Sequence, residues 1–364
     1  MLIQNEYMPD EVSPPGESLA DVLEERGMTQ VALARRLGMT EKTLSGIVNG
    51  KAPITPETAL KLEMVLSIPA RFWNARQSQY DEFLARRRHT SELESHVHWI
   101  DRFPYQEMVQ YGWLQDHDTP LAKLRELLRF FGFAHPEDWE PFWDDFMQKA
   151  GVALRTSPAY ANEHESLAAW LRQGERQAFA IECTPYNEQR FMQSLRQVRS
   201  LTVEPPEVYQ TEAQRLCAEA GVALVFVPEL SGIRAGGATR WLTSDQALIQ
   251  LSLRYKRDDH LWFSFFHEAG HILNDGKREI FVELDDPREE DADRFARDFL
   301  IPPEPYLRFL AQTKRHISQE QVVAFAESLG ISPGIVVGRL QHDGHLPHSH
   351  LNRLKQRLVW KKVH

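Results

Sequence analysis

Cysteine is nearly absent: Cys183 and Cys217 are the only two in 364 residues. This predicts neither a disulfide framework nor a cysteine-based metal motif, and points to a reducing, cytoplasmic setting. Neither cysteine has the neighbours of a nucleophile. Long apolar runs are missing as well. No stretch approaches the length of a membrane span, and Met1 to Asp10 is too acidic and too short of apolar residues to predict a secretory signal. There is no surplus of positive charge, since 42 Lys and Arg face 52 Asp and Glu, a net charge of −10. That argues against a surface coated by nucleic acid but leaves room for a local basic patch. What is present, 42% hydrophobic and 26% charged residues, suffices for two or three packed domains.

The most informative stretch is His267-Glu268-Ala269-Gly270-His271, set between the apolar run Leu261 to Phe266 and Ile272-Leu273. Histidines four apart on a helix lie about 40° apart and roughly one turn along the axis, so both imidazoles reach one ion. Zinc suits such a pair best, and Glu268 can act on a water beside the metal as general base while staying off the metal itself. Asp258 and Asp259 are expected to cap this helix, and Asn274-Asp275-Gly276 to stop it.

A catalytic zinc takes three protein ligands and keeps one position open. The run Asp286 to Leu300 reads as the second helix, with Asp286 as N-cap, Pro287 in the first turn, and an apolar face of Ala292, Phe295, Ala296 and Phe299. Glu289 and Asp293 fall on that face. Glu289 also fits a capping box three residues after Asp286, whereas Asp293 among apolar residues suits a carboxylate that holds a ligand histidine in one tautomer.

His267-Glu268-x-x-His271, followed by Glu289-x-x-Ala292-Asp293-x-Phe295-Ala296 and Leu300-Ile301-Pro302, resembles the ImmA/IrrE family of metallo-endopeptidases over roughly Gly221 to Gln341. The resemblance implies a gluzincin-like site with one Zn2+ per chain: His267, His271 and Glu289 as ligands, Glu268 as base and Asp293 behind a ligand. It also implies cleavage, or triggered loss, of a partner repressor that carries a helix-turn-helix.

The N-terminal stretch reverses the overall charge. Short helices closed by Gly27, Gly38 and Asn49-Gly50, then a fourth from Pro56 to Leu66, fit a helix-turn-helix. Between Met28 and Lys51 the bases Arg35, Arg36, Lys42 and Lys51 oppose the single acid Glu41, as phosphate contacts require. Thr40, Lys42, Thr43 and Ser45 crowd the start of the third helix while Leu44, Ile47 and Val48 face inward, the arrangement of a recognition helix. A helical bundle used for protein contacts is the other reading. Met28-Thr29-Gln30-x-x-Leu33-Ala34 and Leu44-Ser45-x-Ile47-Val48-Asn49-Gly50-Lys51 resemble the Xre-type domain of HigA-like antitoxins. That resemblance implies operator binding as a homodimer, with Gln30 and Thr43 on phosphates and Lys42 near base edges.

Between these ends, helical spacing at Leu121 to Phe131, Leu167 to Leu171 and Phe191 to Leu201, with an aromatic stripe of Trp139, Phe142, Trp143 and Phe146, predicts a spacer or sensor. Val222 to Val227, Ala238 to Leu242 and Leu248 to Tyr255 predict a small antiparallel sheet running straight into the metal helix. An exposed edge there would take an extended peptide by strand addition. Arg240, Arg254, Tyr255 and His260 are candidate stabilisers of the transition state, Arg240 and Tyr255 foremost. The tail with His342, His345, His348 and His350 reads as a solvated end.

The expectation is therefore an α+β chain: an all-α helix-turn-helix domain at 1–70, a helical linker or sensor at 71–205, and a gluzincin-like metallopeptidase domain with a C-terminal helical cap at 206–364. It would bind operator DNA, carry no membrane segment, and cut itself or a partner repressor or antitoxin to relieve repression. The rival is a HigA-like antitoxin or repressor whose zinc domain only binds a toxin or senses a ligand.

Overall fold

The computed structural model describes residues 12–149, 163–233, 235–275, 280–282, 290–313 and 317–360. The chain divides into two compact units, Met1–His96 and Val97–His364. Among the described residues no single helix is long and apolar enough to cross a membrane.

The first unit is helical: α1 (Pro15–Glu25), α2 (Gln30–Leu37), α3 (Glu41–Val48), α4 (Pro56–Leu66) and α5 (Ala70–Glu94). Its boundaries follow local chemistry. The Thr29, Thr40 and Thr55 hydroxyls accept from the amides of Ala32, Thr43 and Thr58 and so cap α2, α3 and α4. Gly38 closes α2 in the left-handed conformation. Leu19, Leu33, Leu44, Leu62, Leu66 and Trp73 form a fully buried core.

The second unit begins with α6 (Tyr105–Gln110), α7 (Pro120–Phe131), α8 (Pro136–Lys149), α9 (Glu163–Ala178), α10 (Glu188–Ser200) and α11 (Pro206–Ala218). Of the expected aromatic stripe, Trp139 and Trp143 are core, with Trp99, Phe103 and Phe131 packed on Trp139 largely edge to face, whereas Phe142 is exposed. Four strands follow, β1 (Val222–Phe226), β2 (Gly237–Thr243), β3 (Gln246–Leu251) and β4 (Ile280–Val282), with α12 (Asp258–Asn274) between β3 and β4. Then come α13 (Glu290–Leu300), α14 (Pro303–Thr313), α15 (Gln319–Leu329) and α16 (Pro333–His342).

The α+β class holds, but the sheet is mixed rather than wholly antiparallel. Its order is β1-β3-β2-β4, with β1 parallel to β3 and the other pairs antiparallel. The chain does reverse between β1 and β2, yet β3 inserts between them, so β1 and β2 are not neighbours. Ala247, Ile249 and Leu251 of β3 join the core built with α10, α11 and α12. Gln246 and Gln250 point the other way, where their amides donate to the carbonyls of Ala178 and Trp170 on α9. The sheet thus lies between α9 and α12.

Two further expectations are corrected. Helix α12 has Arg257 as its N-cap, without a side-chain cap bond. Asp258 and Asp259 lie in its first turn and are buried, because each holds the C-terminal segment: Asp258 accepts from Ser332 Oγ at 2.7 Å and from the Gln356 amide at 2.8 Å, and Asp259 pairs with Lys355 at 2.6 Å. Nor is the tail a solvated end. Its histidines are exposed, but Leu346 and Leu358 belong to the core, and the Leu358 amide donates to the Lys256 carbonyl. The lack of a fixed spacing among the histidines suggested solvent; the buried partners lie about a hundred residues away and are invisible to spacing.

Candidate metal centre and nucleic-acid interface

Helix α12 carries His267, Glu268 and His271, which are 1%, 0% and 5% exposed. Burial of so polar a trio is costly unless each group has a task. The two imidazoles converge, with Nε2 to Nε2 at 3.1 Å. Each opposite ring nitrogen meets a carboxylate: His267 Nδ1 lies 2.8 Å from Asp293 Oδ1, and His271 Nδ1 lies 2.7 Å from Asp275 Oδ2. A carboxylate accepts only, so each Nδ1 carries the proton and each Nε2 presents a lone pair. Two lone pairs aimed at one point are held apart by electrostatics unless a cation lies between them. Two nitrogen ligands of a tetrahedral zinc stand roughly 3.3 Å apart, so the donor geometry fits that ion.

Helix α13 brings Asp293 into place. Ala292, Ala296 and Leu300 bury its apolar side, and Gly270 on α12 permits the approach, since a Cβ there would stand 3.3 Å from the Ala292 Cα. Asp293 reaches His267 although its side chain is 53% exposed. Asp275, read from sequence only as part of a stop signal, does the same for His271. Its signal was the interval of four residues, one helical turn past the histidine. Glu289, with Asp286 and Pro287, lies outside the described residues.

Glu268 is packed under β2. A Cβ on Gly237 would fall 2.6 Å from Glu268 Oε1 and 2.7 Å from its Cγ, so glycine at this position makes the room that the carboxylate occupies. Thr239, two residues on and therefore on the same face, donates its hydroxyl to the Glu268 carbonyl at 3.1 Å.

The other candidates separate. Arg240 sits opposite Leu248 in the register and faces α9, where Nη2 lies 3.4 Å from Glu175 Oε2 and the guanidinium covers Phe146. It is on the side of the sheet away from Glu268, and burial pulls its pKa down. Tyr255 and His260 stack at 4.1 Å between centroids, with Arg254 over the Tyr255 ring at 4.9 Å. They stand at the N-terminal end of α12, two turns from His267. β3 ends at Leu251, and a turn at Leu253–Lys256 separates it from the helix. β2 is paired on both sides, so the strand beside Glu268 offers no edge; the outer strands in the order are β1 and β4.

In the first unit Gln30, Lys42, Thr43 and Lys51 are exposed, with Arg35 and Arg36 on α2. Leu44 and Ile47 turn inward. Thr40 is also exposed, but its hydroxyl caps α3 and lies 2.8 Å from that of Thr43. Ser45 Oγ accepts from Asn49 Nδ2 at 3.1 Å. Their placement at the start of α3 is as expected; their internal bonds were not foreseen.

Residues 19–73 match the family model described as helix-turn-helix, and residues 235–341 the one described as IrrE N-terminal-like domain. No curated protein matches the chain. Among solved structures, an addiction module antidote protein of the HigA family from Coxiella burnetii is 30% identical, covering 23% of this chain and 94% of that one, with a TM-score of 0.22. The Pseudomonas aeruginosa antitoxin HigA, solved with the higBA promoter, has the same identity, coverages and TM-score.

Proposed function

We propose that this chain, which belongs through residues 19–73 to the helix-turn-helix family and through residues 235–341 to the IrrE N-terminal-like family, is a DNA-binding transcriptional regulator with a zinc-dependent endopeptidase in its second unit. The observation that carries the enzymatic half is the pair of Nε2 atoms 3.1 Å apart, each backed by a carboxylate on the far side of its ring. His267, His271 and Glu289 would hold the ion, the last on the strength of its sequence position. Zinc bound there would supply a Lewis acid for the scissile carbonyl and lower the pKa of a water nearby.

The protein's own groups do the rest. Asp293 and Asp275 keep both imidazoles in the tautomer that offers Nε2, and raise their basicity. Glu268 takes a proton from the attacking water and returns it to the leaving amine nitrogen. The surrounding burial excludes bulk water, which strengthens each of these interactions. In the first unit, α3 enters the major groove with Lys42 near base edges while Gln30, Thr43 and Lys51 contact phosphates, Thr40 holding its first turn and Ser45 its C-terminal end; binding is to operator DNA as a homodimer. The protease relieves repression by cutting this chain or a partner repressor or antitoxin.

The decisive experiment is Glu268→Gln in the full chain. Peptide cleavage is lost, while zinc content and operator binding stay at wild-type levels. Loss of cleavage and operator binding together would refute the division of labour.

A further inference from the structure

The outer face of α4 is apolar where solvent would favour charge. Ala59, Leu62 and Leu66 bury the inner face of this helix. The outer face carries Glu57, Leu60, Lys61 and Met64, all exposed and spaced by three or four residues, so they form one stripe. Leu60 is 59% exposed and Met64 83%, the most exposed large apolar side chain among the described residues. Phe72, 42% exposed, adds another in the first turn of α5, whose start is tied to α4 where the Ala70 amide donates to Glu63 Oε2 at 2.5 Å. Isolated apolar residues on a surface need no explanation, but a stripe of them rimmed by charge marks a contact surface.

The charges of the stripe fit a second copy of the same stripe. Glu57 and Lys61 lie one turn apart and pair at 2.9 Å, both of them solvent-exposed. Two such helices laid antiparallel about a twofold axis meet as an isologous pair, in which every contact is made twice. Each Lys61 then also reaches the partner's Glu57, and Leu60 and Met64 cover the partner's apolar pair. Neither charge is left without its opposite.

Spacing points the same way. Leu44 and Ile47 of α3 share one core with Ala59, Leu62 and Leu66 of α4, so α3 lies on the side of α4 away from the stripe. Helices in contact stand about 8–10 Å apart, which would put each α4 about 4–5 Å from the twofold axis. Each α3 is about one helix diameter, roughly 10–12 Å, farther out. The two α3 helices thereby come to stand about 30 Å apart, close to the roughly 34–36 Å between half-sites on one face of a DNA duplex. An unrelated protein on the stripe would bring no second recognition helix to that position.

We propose that the Leu60–Met64 stripe of α4 is the surface through which two copies of this chain pair, antiparallel and about a twofold axis, to hold their recognition helices at operator spacing. The assignment rests on the reading of the first unit as a homodimeric operator binder and adds to it the interface. Leu60 and Met64 carry the contact, and Glu57 with Lys61 fixes its direction.

The test is analytical ultracentrifugation of the full chain over a range of concentrations, with melting temperature recorded alongside. The wild type should sediment as a dimer. Leu60→Glu and Met64→Glu should each raise the dimer dissociation constant on the order of 100-fold and leave the melting temperature of the monomer unchanged, since neither side chain belongs to the core. Glu57→Lys should weaken the dimer by setting like charges together, and adding Lys61→Glu should restore it. A wild type that is monomeric at every concentration overturns the homodimer and the interface with it. A dimer that persists in both glutamate variants overturns the interface and leaves the homodimer standing. Where a glutamate variant fails to fold, the charge exchange decides, because it touches no buried group: recovery in the double variant upholds the interface, and its absence overturns it.

Discussion

Gly237→Ala isolates what Glu268 does. The new methyl would lie 2.6 Å from Glu268 Oε1, 2.7 Å from Cγ and 3.0 Å from Cδ, against a comfortable separation of about 3.5 Å. The backbone of Gly237 lies in β2 and tolerates alanine, so the conflict is all with the carboxylate, which must move by nearly an ångström. Overpacking of this kind costs about 1–3 kcal/mol, well inside the roughly 5–15 kcal/mol by which a folded domain is stable. The variant should therefore fold and melt a few degrees lower. A catalytic base displaced by about 1 Å costs on the order of 10²-fold in rate. Three measurements decide it: melting temperature, zinc content by elemental analysis, and peptide cleavage. The expected pattern is a small loss of stability, unchanged zinc and a large loss of rate. Full activity in a folded, zinc-loaded variant would refute the role given to Glu268.

Asp275→Asn and Asp293→Asn should each weaken zinc retention about 10- to 100-fold in chelator competition without unfolding the chain; equal loss from a surface variant such as Asp291→Asn would remove the argument for tautomer control. Lys355→Met leaves Asp259 buried without its counter-ion and should cost the second unit about 3–5 kcal/mol in urea melts, most of it recovered in the double variant with Asp259→Asn. His260 has a folded pKa below its unfolded value, chiefly through burial. Its contribution to stability is thus present above about pH 6.5 and lost as pH falls through the window beneath that value. His260→Gln should flatten the melting profile there, and an unchanged profile would show that another group titrates. Lys51→Ala should weaken operator binding and lower the salt slope by about one, and Lys42→Ala should relax base specificity; an unaltered slope in Lys51→Ala would place the phosphate contacts elsewhere.

The parts of this molecule that announce themselves in sequence are those whose partners lie within a turn or two. Thr29, Thr40 and Thr55 cap the helices that follow them, and His267 and His271 converge because four residues make one turn. Asp275 belonged to this legible class, yet its part in a stop signal concealed its second use as the partner of His271. Arg240 failed for a different reason. Whether a strand residue faces α12 or α9 depends on register, and register depends on the order β1-β3-β2-β4, which spacing does not encode. Asp258, Asp259 and Lys355 are a third case: the two acids read locally as caps of the following helix, while long-range pairing buries them. Gly237 joins both ends of the scale: a glycine opening a strand is locally unremarked, and only the packing of β2 on α12 shows that its missing side chain is the space in which Glu268 sits. The chemistry at the histidine pair is local in sequence, whereas the room to perform it is a property of the sheet.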